Sequence, residues 1–128
     1  MMMAIHRILG LLRLLRFVDL SNKDLRGANL SFFQIPGINL SNSNLIEANL
    51  RGSNLAGANL SRANLAGADL SGTNLQGTDL SGANLEGVFM EGSDLSNAIL
   101  QEANLTGASL KGAILAGALL SDDAKLNQ

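Results

Sequence analysis

The stretch Ser53–Leu70 reads SNLAGANLSRANLAGADL. A leucine recurs every fifth residue, at Leu55, Leu60, Leu65 and Leu70. An Asn or Asp precedes each leucine, and a small residue precedes that. Five matches neither the 3.6-residue period of a helix nor the 2-residue period of a strand. The small residue and the leucine lie two apart, so an extended chain points both to one side. The next small residue lies three beyond the leucine, where alternation would point it away. A corner is therefore required in every unit of five.

Extended in both directions, the pattern gives centres from Leu20 to Leu120, which makes 21 units. All centres are Leu except Ile35 and Met90. Of the 14 glycines, 13 fall two positions after a centre, Gly10 being the exception. A type II turn that starts at the leucine needs a positive φ at its third residue, which is this glycine column. Each unit then reads as a short extended stub and a bend, and stacked stubs form a β-solenoid. One corner column, Asn22, Asn42, Arg62, Gly82, Glu102 and Asp122, is nearly free of glycine and recurs every 20 residues. Four units per coil explain that recurrence and give about five coils. A different turn type is expected along this edge, and the asparagines at 44, 64, 84 and 104 are expected to stack as a ladder on the next face.

These units resemble the pentapeptide repeat family, whose motif is roughly A(D/N)LXX. The match spans residues 18–122 and departs from the motif at Lys23, Phe32–Phe33, Pro36, Phe89–Met90, Ile99, Ile114 and Leu119. The resemblance implies an all-β fold, a right-handed quadrilateral β-helix. Lys23, in an inward position, is expected to snorkel out of the open first coil. Coils about 4.8 Å apart would bury four columns of leucine, each side chain worth roughly 1.5–3 kcal/mol.

A solenoid has two raw ends that need caps or partners. Residues 1–17 read MMMAIHRILGLLRLLRF, an amphipathic α-helix with Ile5, Ile8, Leu12 and Leu15 on its apolar face and His6, Arg13 and Arg16 opposite. Arginines interrupt the apolar run, so it reads poorly as a signal peptide or a membrane span. It is expected to cap the first coil, and the alternative is attachment of residues 1–16 to a membrane surface. At the other end Ile99, Ile114 and Leu119 occupy outward positions that elsewhere hold Asn or Asp. This patch predicts a protein partner or a homodimer through the C-terminal end. The tail, residues 123–128, could cover it instead through Leu126.

Little in the sequence points to chemistry. There is no Cys, one His (His6), and no phosphate-binding glycine loop opening a helix. No triad forms around His6, and the period of five excludes nine-residue calcium repeats. No enzyme activity, cofactor or metal site is expected, and absence of cysteine suits a reducing, cytoplasmic location. The family is plentiful in photosynthetic bacteria, so a bacterial protein is expected.

Net charge is −2, which gives no basic field for nucleic acid. The charge is uneven: Arg7, Arg13 and Arg16 face no acid within residues 1–16. Between Arg62 and Lys111 stand only acids: Asp69, Asp79, Glu86, Glu91, Asp94 and Glu102. Some members of the family resemble B-DNA and protect or inhibit DNA gyrase, so this acidic belt admits a DNA-mimic reading. Duplex DNA carries one charge per about 1.7 Å, so a rod of about 24 Å would need about 14 charges. Residues 17–128 supply a net −5. The scaffold reading is therefore preferred.

Overall fold

The computed structural model describes residues 18–122. The predicted helical cap (Ile5, Ile8, Leu12, Leu15) and the C-terminal tail lie outside the described residues. Every bridge is parallel and joins a residue to the one 20 positions on: Asp19 to Asn39, Asn44 to Asn64, Asp69 to Phe89, Asp94 to Ile114. At the last coil the bridge widens into two short strands, β1 (Ile99–Leu100) and β2 (Leu119–Leu120). Turns recur every five residues, four to each 20-residue coil. The chain thus forms about five stacked coils with four sides. Side one carries Asp19, Asn39, Asn59, Asp79, Ile99 and Leu119. Side two carries Asp24 to Asn104, side three Asn29 to Ser109, and side four Gln34 to Ile114.

The five-residue code follows from a complete use of the backbone donors, as a buried coil demands. Take Ala63 to Gly67. The Ala63 N–H donates to the Leu60 carbonyl at 3.1 Å and closes the corner. The Asn64 N–H donates back to Ser43 O in the previous coil at 2.9 Å. Leu65 and Gly67 donate forward to Asn84 O and Glu86 O, at 2.8 and 2.9 Å. The remaining donor, Ala66 N–H, is taken by Asn64 Oδ1 at 3.2 Å. The Asn/Asp column therefore caps its own corner, since these short side chains reach the N–H two residues on.

Asn44, Asn64, Asn84 and Asn104 stack in register on side two, as expected, but their amide oxygens serve their own corners and do not link the coils. The oxygens of Asn44, Asn64, Asn84 and Asn104 accept from Ile46, Ala66, Glu86 and Thr106. Along this column only Asn104 Nδ2 reaches its neighbour, Asn84 Oδ1, at 3.5 Å, the outer limit of a hydrogen bond.

The edge poor in glycine also differs from expectation. Asn22, Asn42, Arg62 and Glu102 have φ of 59°, 56°, 56° and 63°, the same left-handed geometry as Gly82 at 66°. Their corners close with the same bond, Ser43 N–H to Leu40 O at 3.2 Å and Ala103 N–H to Leu100 O at 3.1 Å. One turn type serves all four edges. Asn tolerates the left-handed region, and the ladder imposes it on Arg62 and Glu102 at some cost in strain.

The centres and small residues form one core running the length of the coils. Ser43, Ser53, Thr73, Thr78 and Ser93 are buried within it. Their hydroxyls donate to carbonyls of the corners, as Thr73 Oγ1 does to Leu50 O at 2.9 Å. No buried side-chain polar atom among the described residues lacks a partner. Lys23 is exposed, as its place in the first coil predicts.

Candidate interaction surface at the C-terminal end

The corner caps define where the surface departs from its own rule. An Asn or Asp caps the corner N–H at positions 19, 24, 29, 39, 44, 49, 54, 59, 64, 69, 74 and 79. The one gap in this run is Gln34, whose corner residue is Pro36, which has no N–H to cap. Further along, Asn84, Asp94 and Asn104 keep the cap. Phe89, Ile99, Ser109, Ile114 and Leu119 do not supply one. Four of these five are apolar. A capping bond is worth roughly 0.5–1.5 kcal/mol, so each apolar replacement forgoes stability to place a hydrophobic group outward.

The structure brings three of these residues together. Ile99 and Leu119 pair in register on side one, and Asp94 stacks with Ile114 on side four, the side that leads into Leu119. Ile114 is 51 % and Leu119 53 % exposed, while Ile99 is half-buried beneath Leu119. Phe89, 49 % exposed on side three, stands between Asp69 and Ser109 in its column. Phe89 falls outside the patch expected from the sequence, although an aromatic in the Asn/Asp column is the same signal as Ile99. Phe32, 69 % exposed, stands apart in the first coil, where its ring lies over Gly52.

The core is less covered toward this end of the stack. Leu105 and Leu110 keep 8 % and 9 % of their surface, and Leu115 and Leu120 are only half-buried. A shallow groove lined by Gln101, Glu102, Leu120, Ser121 and Asp122 runs beside Leu119. There the Ser121 hydroxyl accepts from Glu102 N–H at 2.6 Å.

The acidic belt does not gather on one face. Asp69, Asp79 and Asp94 stand on sides three, one and four. Glu86, Glu91 and Glu102 occupy three different corners. The three aspartates are also committed locally, Asp69 Oδ1 to Ser71, Asp79 Oδ1 to Ser81, and Asp94 Oδ1 to Ser96. Asp69 further pairs with Arg51 at 3.9 Å. Asp94 accepts from the Gln76 side chain, and that bond, with those from Ser96, holds its carboxyl below the usual carboxylate range. Among the described residues no cluster of His, Asp or Glu is placed to hold a metal ion, and no helix is long and apolar enough to cross a membrane.

Comparison with known proteins agrees with this architecture. A family profile described as pentapeptide repeats matches in eight copies, over residues 24–62, 37–72, 73–112 and 90–122. No curated protein matches the chain. Among solved structures, the pentapeptide repeat protein Rfr23 of the cyanobacterium Cyanothece 51142 is 34 % identical with a TM-score of 0.72, over 74 % of this chain and 65 % of that one. A pentapeptide repeat protein of the Arabidopsis thaliana thylakoid lumen is 36 % identical with a TM-score of 0.47, over 78 % and 63 %. A trypsin-treated form of QnrB1, a plasmid-mediated fluoroquinolone resistance protein, is 18 % identical with a TM-score of 0.59, over 74 % and 61 %, a likeness of fold alone. The chain spans less than two thirds of the length of each of these three. With its repeat matched from residue 24 to 122 and its coils stacked every 20 residues, the chain belongs to the pentapeptide repeat family.

Proposed function

We propose that the protein is a non-enzymatic scaffold, a right-handed quadrilateral β-helix that binds a protein partner through its C-terminal end. One observation carries this reading: Ile99, Ile114 and Leu119 replace capping residues with exposed or half-exposed apolar ones on adjoining sides. Isolated apolar residues on a surface need no explanation, whereas a contiguous patch usually marks a contact. The two ends differ in a way that fits. In the first coil Leu25, Leu30 and Ile35 are 1 % exposed, although no described residue lies beneath them. This supports residues 1–17 as the cap of that end.

The test uses the full chain as bait, wild type against Leu119→Lys, with light scattering run in parallel over a wide concentration range. The expected result is a partner held by wild type and lost from the variant, with unchanged thermal stability of the bait. Equal retention by both baits removes the reading. The DNA-mimic alternative has weaker support, because the carboxylates are dispersed around the coils and most aspartates cap corners. An absence of gyrase inhibition at micromolar protein would remove it. Surface attachment through residues 1–16 rests on their three arginines, and flotation with anionic vesicles tests it.

A further inference from the structure

The apolar end surface carries a sign. Asp79 lies directly beneath Ile99 in the side-one column, and Asp94 directly beneath Ile114 in the side-four column. Glu102 and Asp122 stand one coil apart on the corner beside Leu119 and line the same groove as Leu120. From residue 63 to 122 there are seven acids and one base, Lys111. Lys111 sits at the corner between sides three and four, at the edge of the side that carries Ile114 and away from side one. Asp94 stays ionised well into mild acid, because Gln76 and Ser96 donate to its carboxylate. The backbone adds polarity of its own. With no capping side chain at 99, 114 and 119, the N–H groups of Gln101, Ala116 and Ser121 have no side-chain acceptor among the described residues.

From this arrangement we propose that the C-terminal surface receives a cationic amphipathic segment of another protein. Apolar side chains of that segment pack on Ile99, Ile114 and Leu119. Its lysines or arginines lie among Asp79, Asp94, Glu102 and Asp122, and its backbone or side-chain oxygens take the uncapped N–H groups. The inference rests on the reading of this end as a contact surface and adds the chemistry of the partner. A second copy docked end to end is disfavoured by the same charges, since it would bring two acidic ends together. A partner of opposite sign is attracted at a distance, and its binding weakens with salt.

The repeat supplies unusually clean variants. Replacing Ile99, Ile114 and Leu119 with Asn removes the apolar surface, keeps every charge and restores three corner caps. Replacing Asp79 and Asp94 with Asn removes two charges and keeps both caps. The probes are two labelled amphipathic peptides with one leucine pattern, one bearing lysine and the other glutamate at the polar positions. Fluorescence anisotropy with the full chain should show binding of the lysine peptide alone, falling as salt rises. The triple Asn variant should bind at least about tenfold more weakly, a step of about 1.4 kcal/mol, while melting at or above the wild-type temperature. The Asp79→Asn, Asp94→Asn variant should bind several-fold more weakly. If the glutamate peptide binds as well as the lysine peptide, the charge inference fails and the contact surface stands. If neither peptide binds and wild type dimerises through the patch, the occupant is a second copy and the proposal is overturned. If the triple variant binds like wild type, the proposal and the contact surface fall together.

Discussion

Gly52 shows how a single position is set by its neighbour one coil earlier. Its φ is +68°, and a Cβ built there would stand 2.5 Å from the Phe32 ring. Gly57 has nearly the same φ, +67°, with nothing within 4 Å. The same pairing recurs where the Arg62 stem lies 3.3 Å from the Cβ position of Gly82, and the Glu47 stem 3.4 Å from that of Gly67. A side chain at one corner thus lies over a glycine at the next. Gly57→Ala should cost only the left-handed strain, about 1–2 kcal/mol. Gly52→Ala should cost that and, in addition, the burial the Phe32 ring gives up as it swings away, roughly 0.5–1 kcal/mol for a few tens of Å² at about 25 cal/mol per Å². In a Phe32→Ala background the two alanine substitutions should cost the same. Chemical denaturation of these variants measures this, and an equal cost of the two in the wild-type background would refute the pairing.

At the scale of the five-residue element, the Asn or Asp is a corner cap, and its worth is that of one hydrogen bond. Asn64→Ala should therefore cost roughly 0.5–1.5 kcal/mol, and Asn64→Asp much less, because a carboxylate also accepts from Ala66 N–H. Gln34→Asn should give no gain, since Pro36 offers no N–H. Thermal melting of the three variants decides between a cap and a side-chain ladder. A ladder would make Asn64→Asp as harmful as Asn64→Ala. The centres follow a gradient along the stack. Leu65→Ala empties a sealed core and should cost about 2–5 kcal/mol. Leu115→Ala, at a half-buried position, should cost clearly less.

Over the whole molecule, charge and core run in opposite senses. Arginines concentrate toward the N-terminal end and acids toward the C-terminal end, where the core is also least covered. Three carboxyls are held below their usual range, Asp19 by Ser21, Asp24 by the Arg26 guanidinium and Asp94 by Gln76. Folding favours their ionised form. The stability they contribute is present above the unfolded value of about 3.9 and is lost as pH falls through the lower folded values. The melting temperature should stay level from neutral pH to about 5 and decline below about 4. Asp94→Asn should blunt that decline. A melting temperature that rises on acidification would contradict the assignment of these bonds.

The coil is legible in the residues alone. Spacing of five, glycine two places after each leucine and recurrence at 20 each express a local need: inward packing, a left-handed corner or a shared edge. Such needs show in residue types without knowledge of distant contacts. The prominence of Ile99, Ile114 and Leu119 was legible for the same reason, as apolar residues in a polar column. What each polar residue does emerges only once the coils stack. Which oxygen takes the Ala66 N–H, why Arg62 keeps a glycine's φ and which glycine lies under Phe32 depend on how the chain closes its corners and on atoms 20 residues away in sequence and one coil away in space. Stacking also makes the acids encircle the coils and leaves Leu115 and Leu120, in the last one, half-buried. These outcomes follow from register between coils, which a five-residue pattern does not encode.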